Sequence, residues 1–238
     1  MATVAEVHSD GTDAVTLQLV LPDLADFVAG QYYLVRIRVE GPPEAVQQAY
    51  SLTSSPWPLS PLVEMAVRAV PGGRVSPVLV HRVVAGDQLH VRGPFGSLTW
   101  DGSDGRPLVM IGAGSGVAPF TSIVRFASAR RLTTPMALLC SGRDQASILL
   151  RTPLEELNRR ENWLSVVHTF TRSEDPWARF HRRVDAPMIE QVVGELRGSD
   201  PTSRSVLVAG PPEMVTSVRA AVLTLGIGGD HVVTEIHA

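Results

Sequence analysis

The sequence of 238 residues contains no lysine, so all 21 of its strongly basic residues are arginines. A Schiff-base enzyme needs a reactive lysine, and the phosphate-binding P-loop needs a lysine beside its glycines, so both classes are excluded. The single cysteine, Cys140, excludes an intramolecular disulfide, a cysteine-rich zinc site and a four-cysteine iron–sulfur cluster within this sequence.

Blocks of like charge and long apolar runs are also missing. The net charge is only -3, so nucleic acid is not expected as the main partner. No apolar run is long enough to cross a bilayer, and the N-terminus lacks the basic patch and apolar core of a signal peptide. The seven histidines do not combine with carboxylates at metal-ligand spacing. We therefore expect a cytoplasmic protein with no membrane span and no metal site.

The first part of the chain, up to about Trp100, consists of short runs in which apolar and polar residues alternate. Proline, glycine or aspartate residues separate these runs, which read VTLQLVL, YYLVRIRVEG, LVEMAVRAV and DQLHVRG. Alternation at this spacing predicts an antiparallel barrel or sandwich. The stretch GGRVSPVLVHRV predicts a single short helix within it.

The pattern changes after the polar, glycine-containing segment WDGSDGRP. Apolar strands now alternate with amphipathic helices through to HVVTEIHA, which predicts a parallel sheet with helices on both faces. We expect two domains, comprising residues 1–101 and 106–238, with DGSDG between them.

The loop after the first strand of the second half, GAGSGVAPF, is rich in glycine but fits neither common phosphate-loop template. Its glycines, Gly112, Gly114 and Gly116, occupy the first, third and fifth positions, whereas the dinucleotide fingerprint has its third glycine at the sixth. Loops that follow parallel strands share one sheet edge, where ligands bind, and here they read GAGSG, SGRD, TFTR and AGPPEM. Each of these loops alone is compatible with a turn that binds no ligand. A ligand site explains better why all four loops of one edge carry glycine, hydroxyl or arginine residues.

Read in order, these motifs resemble the ferredoxin–NADP reductase superfamily, in its bacterial FAD/NAD(P)H oxidoreductase branch without its own iron–sulfur domain. The first half contributes FVAGQY, AYSLTSS, VPGGRVS and GDQLHVRGPFG, and the second contributes GAGSGVAPF, SGRD, TFTR, AGPPEM and EIHA. The resemblance covers nearly the whole chain. It implies an N-terminal antiparallel flavin-binding barrel followed by a C-terminal parallel sheet, with helices on both faces, that binds NAD(P).

The resemblance also implies roles at the flavin. Tyr50 would pack against the flavin ring, and Ser51 would lie near the nitrogen that exchanges hydride. The backbone of Leu52 and Thr53 would bond the pyrimidine edge. Ser51 and, from the C-terminal motif, Glu235 are the candidate catalytic residues.

A glycine turn in the first half is expected to bind the flavin pyrophosphate. Gly72 and Gly73 allow the backbone to approach closely, and the amides of Arg74, Val75 and Ser76 at a helix start suit an anion. This motif favours FAD over FMN.

One departure from the family lies in the same region. The family usually has an arginine two residues before the tyrosine, where it pairs with the pyrophosphate, whereas this chain has Gln48. Arg68 and Arg74 are the candidates to compensate for the missing charge.

The second half is expected to bind the nicotinamide nucleotide. Gly114, Ser115 and Gly116 would face its pyrophosphate, and Pro119 would stiffen the first helical turn. The other positions that match are Arg143 in SGRD and Gly210, Pro211 and Met214 in AGPPEM.

The TFTR loop determines the expected choice of nucleotide. Thr171 and Arg172 match the family's hydroxyl–arginine pair, and Arg183 matches a second arginine, although Arg182 replaces the glycine before it. Arginine suits a 2′-phosphate, so we expect NADPH to be preferred, with NADH possible. A solvated basic loop, neutralised by nearby acids, is the alternative.

Two further departures concern the nicotinamide side. Ala209 stands where the family often has cysteine, and His237 stands where many members have an aromatic shield. His237 is either a partial shield or an exposed residue.

The function implied is an NAD(P)H-dependent flavoprotein reductase that passes electrons to a separate redox protein, such as a ferredoxin or an oxygenase component. Three alternatives remain at this stage: a flavin or ferric reductase with a small-molecule acceptor, an FAD-holding electron-transfer subunit of a larger complex, and a plain NAD(P)-binding module. The oligomeric state does not follow from the sequence.

Overall fold

The computed structural model describes residues 1–11, 13–38, 45–196, 200 and 202–237. The strands of the first half are β1 (Ala2–Ser9), β2 (Ala14–Val20), β3 (Tyr32–Ile37), β4 (Val46–Ser51), β5 (Leu62–Arg68) and β6 (Gln88–Phe95). The expected short helix is α1 (Ser76–His81). The predicted strand YYLVRIRVEG also covers residues 39–41, which lie outside the described residues.

The first half is an antiparallel sheet of six strands in the order β4-β3-β6-β1-β2-β5. Its two outermost strands approach each other through an antiparallel bridge between Leu52 and Met65, which closes the sheet into a barrel. Both of these side chains are fully buried in the interior, together with Leu17 and Leu19 of β2. Alternate residues of β2 point inward, so the apolar positions of the period-two pattern are the ones that face the barrel interior. The predicted antiparallel barrel is confirmed.

In the described residues of the second half, five strands alternate with four α-helices. They are β7 (Leu108–Ala113), α2 (Ala118–Ala129), β8 (Met136–Gly142), α3 (Arg151–Arg160), β9 (Leu164–Phe170), α4 (Ala186–Glu195), β10 (Ser205–Gly210), α5 (Pro212–Thr224) and β11 (Val232–Ile236). A 3₁₀ turn, Gly114–Val117, joins β7 to α2. The predicted segments ending at Arg197 and Ala238 reach residues outside the described ones.

All neighbouring strands of this sheet are parallel, and their order is β11-β10-β7-β8-β9. Helices α2 and α3 cover one face and α4 and α5 cover the other, each with its own apolar core. The predicted parallel sheet with helices on both faces is confirmed. The chain order reverses between β7 and β10, and open α/β sheets bind ligands beside such a point, at the carboxyl ends of the strands.

The two halves pack directly against each other. Leu98 and Trp100, at the end of the first half, are buried in the core that α2 and α3 form with the parallel sheet. On the barrel side, Leu149 and Leu150 pack against small residues of β2 and β5. The carboxylate of Asp10 accepts a hydrogen bond from the amide of Leu150 at 2.7 Å. These contacts bring the barrel wall to the carboxyl edge of the parallel sheet.

Within the described part of the chain, the longest helix has 13 residues, and none is long and apolar enough to cross a bilayer. The described residues also contain no group of three or more His, Cys, Asp or Glu side chains arranged to hold a metal ion.

Candidate functional site

A cavity of about 540 Å³ lies where the barrel meets the parallel sheet. Both halves contribute to its wall. The residues named from the sequence that line it are Gln48, Tyr50, Ser51, Arg68, Gly72, Gly73, Arg74, Val75, Ser76, Ser115 and Glu235. Candidate residues far apart in the sequence therefore surround one space.

The barrel wall of the cavity is built on the end of β4 and its neighbour β3. Ser51 pairs with Tyr32 across these strands, and both side chains line the cavity. Tyr50 is 9% exposed, and burial raises the pKa of its hydroxyl, so the ring is neutral. Tyr32 was not among the sequence candidates. The sequence contained a signal for it, the doublet Tyr32–Tyr33. Neighbouring strand residues face opposite sides of a sheet, so when Tyr33 packs in the barrel core, Tyr32 must face the other side.

Two residues that line this wall have a buried polar atom with no hydrogen-bond partner among the described residues: the Tyr50 hydroxyl and Nε of Arg68. Buried polar groups in proteins almost always have a partner, so these atoms indicate a polar ligand. A flavin ring system with a ribityl and pyrophosphate chain offers acceptors to both. The residues present therefore fit FAD.

The glycine turn of the first half is shaped for close backbone approach. Gly72 has a positive φ of 75°, which L-residues rarely adopt. A Cβ on Gly73 would lie 2.9 Å from the carbonyl oxygen of Val70, so no side chain fits there. The hydroxyl of Ser76 accepts a hydrogen bond from the amide of Val70 at 3.1 Å, which holds the turn against the start of α1.

Leu52 and Thr53 are fully buried behind the cavity wall rather than in it. The amide of Leu52 donates to the Gln31 carbonyl at 2.9 Å, and that of Thr53 donates to the Glu64 carbonyl at 2.8 Å. These two amides are thus already bonded within the protein, and the expected contact of this backbone with the pyrimidine edge stays a prediction. The Thr53 hydroxyl also has no partner among the described residues, but Thr53 does not line the cavity.

On the opposite wall, the loop 114–117 lies against the end of β10. Gly114 has a positive φ of 57°, and a Cβ on Gly116 would lie 2.1 Å from the carbonyl oxygen of Ala209. Ser115 is exposed and lines the cavity, whereas Pro119 is buried in the first turn of α2. The loop can therefore offer its Ser115 hydroxyl and its backbone to an anion, and Pro119 acts only on helix geometry.

The third wall of the site is formed by β10 and β11. Ala209 is buried and pairs in register with Gly112 on one side and Glu235 on the other. His237, which also lines the cavity, donates its backbone N–H to the Gly210 carbonyl at 2.9 Å. Pro211 and Met214 begin α5 beside this point but do not line the cavity.

Arg143, named as a cofactor-binding residue, and Arg172, named for the adenosine end, follow the carboxyl ends of β8 and β9. The amide of Thr171 donates to the Gly142 carbonyl at 2.9 Å, and that of Arg172 donates to the Arg143 carbonyl at 2.9 Å. These bonds place Arg143 and Arg172 side by side, outside the cavity wall. Both side chains are exposed, and neither forms an ion pair within the described residues.

The next two arginines of this loop, Arg182 and Arg183, differ in their contacts among the described residues. Arg182 forms an ion pair with Asp185 at 2.6 Å, which also caps α4. Arg183 is exposed and, in the part of the chain that the structure describes, has no ion pair. Among the described residues, neither Glu174 nor Asp175 forms an ion pair with an arginine: Glu174 lies 3.9 Å from His181, and Asp175 accepts a hydrogen bond from the Trp177 amide.

Comparison with known proteins agrees with this geometry. Residues 2–100 match the family model "Oxidoreductase FAD-binding domain", and residues 110–220 match "Oxidoreductase NAD-binding domain". The chain is 29% identical to reductase component 2 of terephthalate 1,2-dioxygenase from Comamonas sp, over 94% of this chain and 64% of that protein. It therefore spans less than two thirds of the length of this relative.

Solved structures share the fold over nearly the whole chain. The cytochrome P450 reductase of Amycolatopsis superposes with a TM-score of 0.84 at 27% identity, covering 99% of this chain and 68% of that one. A ferredoxin NADP⁺ reductase from Neisseria gonorrhoeae superposes with a TM-score of 0.83 at 22% identity, covering 99% of this chain and 97% of that one. The predicted cofactor classes, FAD and a nicotinamide nucleotide, are confirmed by the two domain matches. With a barrel and a parallel sheet that share one cavity, and with both domain models matched in order, the chain consists of an oxidoreductase FAD-binding domain followed by an oxidoreductase NAD-binding domain, in the two-domain fold of the ferredoxin NADP⁺ reductase.

Proposed function

We propose that the protein is an NAD(P)H-dependent flavoprotein reductase that takes hydride from NADPH, or from NADH, onto FAD and passes electrons to a separate acceptor. The observation that carries this proposal is the shared cavity, whose wall contains Tyr50 and Ser51 from the barrel and Ser115 and Glu235 from the parallel sheet. A flavin on one wall and a nicotinamide on the other would meet there. When bound, FAD supplies the exchange between a two-electron donor and one-electron acceptors.

The protein's own contribution is binding and orientation. The neutral Tyr50 ring offers a flat apolar surface for a flavin, and the Ser51 hydroxyl, 6% exposed, offers one hydrogen bond at the cavity wall. Arg68, Arg74 and the glycine turn supply charge and close backbone approach for a pyrophosphate. Holding two rings in contact is the larger part of hydride-transfer catalysis, because orientation removes most of the entropic barrier.

The preference for NADPH is the finer part of the proposal. Arg143, Arg172 and Arg183 are exposed at the adenosine edge without ion pairs among the described residues, so their guanidinium groups are free for a 2′-phosphate. Arginine binds phosphate through two parallel hydrogen bonds, whereas NADH would offer only ribose hydroxyls there.

We further propose that the acceptor is a redox protein, such as a ferredoxin or an oxygenase component. The support is the relative from Comamonas sp, whose name describes a reductase component of a dioxygenase. The domain boundaries at 101 and 106 and the cytoplasmic location expected from the sequence remain predictions.

Anaerobic reduction of the FAD-reconstituted protein by NADPH and NADH, measured in parallel, tests the proposal. We expect the flavin absorbance to bleach faster with NADPH. A protein that holds FAD but does not bleach with either nucleotide would be an electron-transfer subunit instead. Turnover with free flavin or ferric chelates, but not with a ferredoxin, would favour the small-molecule reductase. Ser51→Ala should retain FAD and slow bleaching by roughly tenfold to a thousandfold.

A further inference from the structure

Helix α2 connects the two walls of the cavity through two of its side chains. The Ser122 hydroxyl donates to the Ser54 carbonyl at 2.7 Å. One turn further along, Nη1 of Arg125 donates to the Thr53 carbonyl at 3.0 Å. Ser122 is fully buried, as is Thr53, so both bonds lie in the interface between the halves. Residues three apart lie on the same helix face, which explains why both reach the same strand end.

Arg125 makes a second contact from the same atom, an ion pair with Glu64 of β5. The other carboxylate oxygen of Glu64 accepts from Gln18 at 2.9 Å, and its backbone amide donates to the Ser54 hydroxyl at 3.1 Å. Glu64 is thus held by the barrel and in turn holds Arg125. The side chains of Arg125 and Glu64 are only 25% and 20% exposed, so water screens the pair weakly.

The position of these residues on α2 links two parts of the cavity wall. The helix begins at Ala118, three residues after Ser115, and Ser122 lies four residues further on, a rise of about 6 Å in a regular helix. Ser122 holds the carbonyl of Ser54 and Arg125 holds that of Thr53, and this segment follows the wall residues Tyr50 and Ser51 after one intervening residue, Leu52. A helix of this length is stiff, so it fixes the distance between the loop 114–117 and the cavity wall formed by the end of β4.

We propose that Ser122 and Arg125 are positioning residues, which set the distance and angle between the nicotinamide site and the flavin site. This inference rests on the proposed function. Hydride transfer needs reacting atoms about 3–3.5 Å apart, and a misplacement of 1 Å costs on the order of a hundredfold in rate. Neither side chain lines the cavity, so they act on the rings only through the backbone that they hold.

Arg125→Ala, Arg125→Lys and Ser122→Ala test the proposal, with Arg159→Ala as the matched control. Arg159 is an exposed arginine in the last turn of α3, at the sheet edge opposite the cavity. Stopped-flow reduction gives the limiting rate and the dissociation constant of NADPH, and titration of the apoprotein gives that of FAD. We expect Arg125→Ala to lower the limiting rate roughly tenfold to a hundredfold while both dissociation constants stay within about threefold. Arg125→Lys, which keeps the charge, should recover part of the rate, and Arg159→Ala should match the wild type.

Two outcomes would overturn the proposal. One is a wild-type limiting rate in Arg125→Ala. The other is a loss of rate that is accompanied by an equal loss of FAD affinity, because that result would indicate a merely structural role. Near-ultraviolet circular dichroism of each variant shows whether its tertiary packing is retained, and Ser122→Ala provides the test if Arg125→Ala does not fold.

A second measurement separates this proposal from the proposed function. The ligand 2′-phospho-ADP-ribose lacks the nicotinamide ring, so any influence of FAD on its binding passes through the protein. We expect FAD to tighten its binding at least about fivefold in the wild type, and the combined Ser122→Ala and Arg125→Ala variant to abolish that effect. A wild type that neither nucleotide reduces would overturn the proposed function, whereas equal binding with and without FAD in the wild type would overturn the positioning role.

Discussion

Nε2 of His237 lies 2.7 Å from Oε1 of Glu235, and Nδ1 of the same ring faces the Ser115 hydroxyl at 3.4 Å. The His237 side chain is only 14% exposed, and it lines the cavity. Of the two possibilities left open by the sequence, an exposed residue is therefore wrong. The imidazole lies at the end of the cavity between the loop 114–117 and β11, where the proposed function requires a nicotinamide ring to enter.

His237→Ala should tighten binding of NADP⁺ to the FAD-loaded protein. A nucleotide that displaces the imidazole must break its bond to Glu235, and such bonds contribute about 0.5–1.5 kcal/mol, or roughly twofold to tenfold in affinity. Isothermal titration calorimetry measures the change in affinity. The control is His90→Ala, at an exposed position of the barrel strand β6. Unchanged or weaker binding would mean that the ring moves aside without cost or contacts the nucleotide directly.

Gln48→Arg should tighten FAD binding by roughly tenfold, because it adds a charge-assisted hydrogen bond to a pyrophosphate. Gln48 is exposed and lines the cavity, so a longer side chain has room. The neighbouring Gln47→Arg is the matched control, since Gln47 is equally exposed but does not line the cavity. Equal affinities in titrations of the apoprotein would indicate that Arg68 or Arg74 already occupies the place of the missing arginine.

Arg172→Ala should weaken NADPH binding by roughly 1.5–3 kcal/mol, as for a lost hydrogen bond to a charged group, and leave NADH binding nearly unchanged. Arg182→Ala is a control with the same loss of charge in the same loop, because the guanidinium of Arg182 is already paired with Asp185. Fluorescence titration of the wild type and both variants with each nucleotide measures the six affinities. A native preference for NADH, or an equal loss for both nucleotides, would contradict the assignment of Arg172.

The fold could be predicted because most strands and helices carry one clear periodicity, but two strands could not. The alternation of β1 is broken by a register shift between Val4 and Glu6, which moves its apolar residues out of period. The strand β4 reads Val-Gln-Gln-Ala-Tyr-Ser and exposes Gln47 and Gln48 together, because one of its faces lines the cavity rather than a core. A strand whose face lines a ligand site does not show the apolar–polar alternation of a strand whose face packs in a core.

The candidate site could be predicted where chemistry lies in consecutive residues, as in the glycine turn at 72–76 and the loop at 114–117. It could not be predicted where tertiary structure decides. The sequence does not reveal that the amides of Leu52 and Thr53 bond other strands, or that Arg125 reaches the barrel from α2. Such contacts depend on how the two halves pack, and periodicity contains no information about that packing.

Because His168 is buried, we expect the protein to lose stability in mild acid. It lies in β9, is 6% exposed, and stacks on Trp177 with ring centroids 4.1 Å apart. Burial, and to a smaller extent the charge of Arg151, lowers the pKa of the imidazole from 6.5 to about 4. Between these values the unfolded chain binds a proton that the folded protein does not, so the free energy of unfolding falls as the pH decreases.

The expected loss from this one residue, between neutral pH and about pH 4.5, is roughly 2.5 kcal/mol. His168→Phe keeps an aromatic ring against Trp177 but cannot titrate. Urea unfolding of both proteins at the two pH values isolates the effect, because every other titrating group is common to them. The wild type should lose more stability than the variant, by about that amount. If the two proteins lose stability in parallel, the imidazole is protonated within the fold, and water or a local opening must reach Nδ1, which has no partner among the described residues.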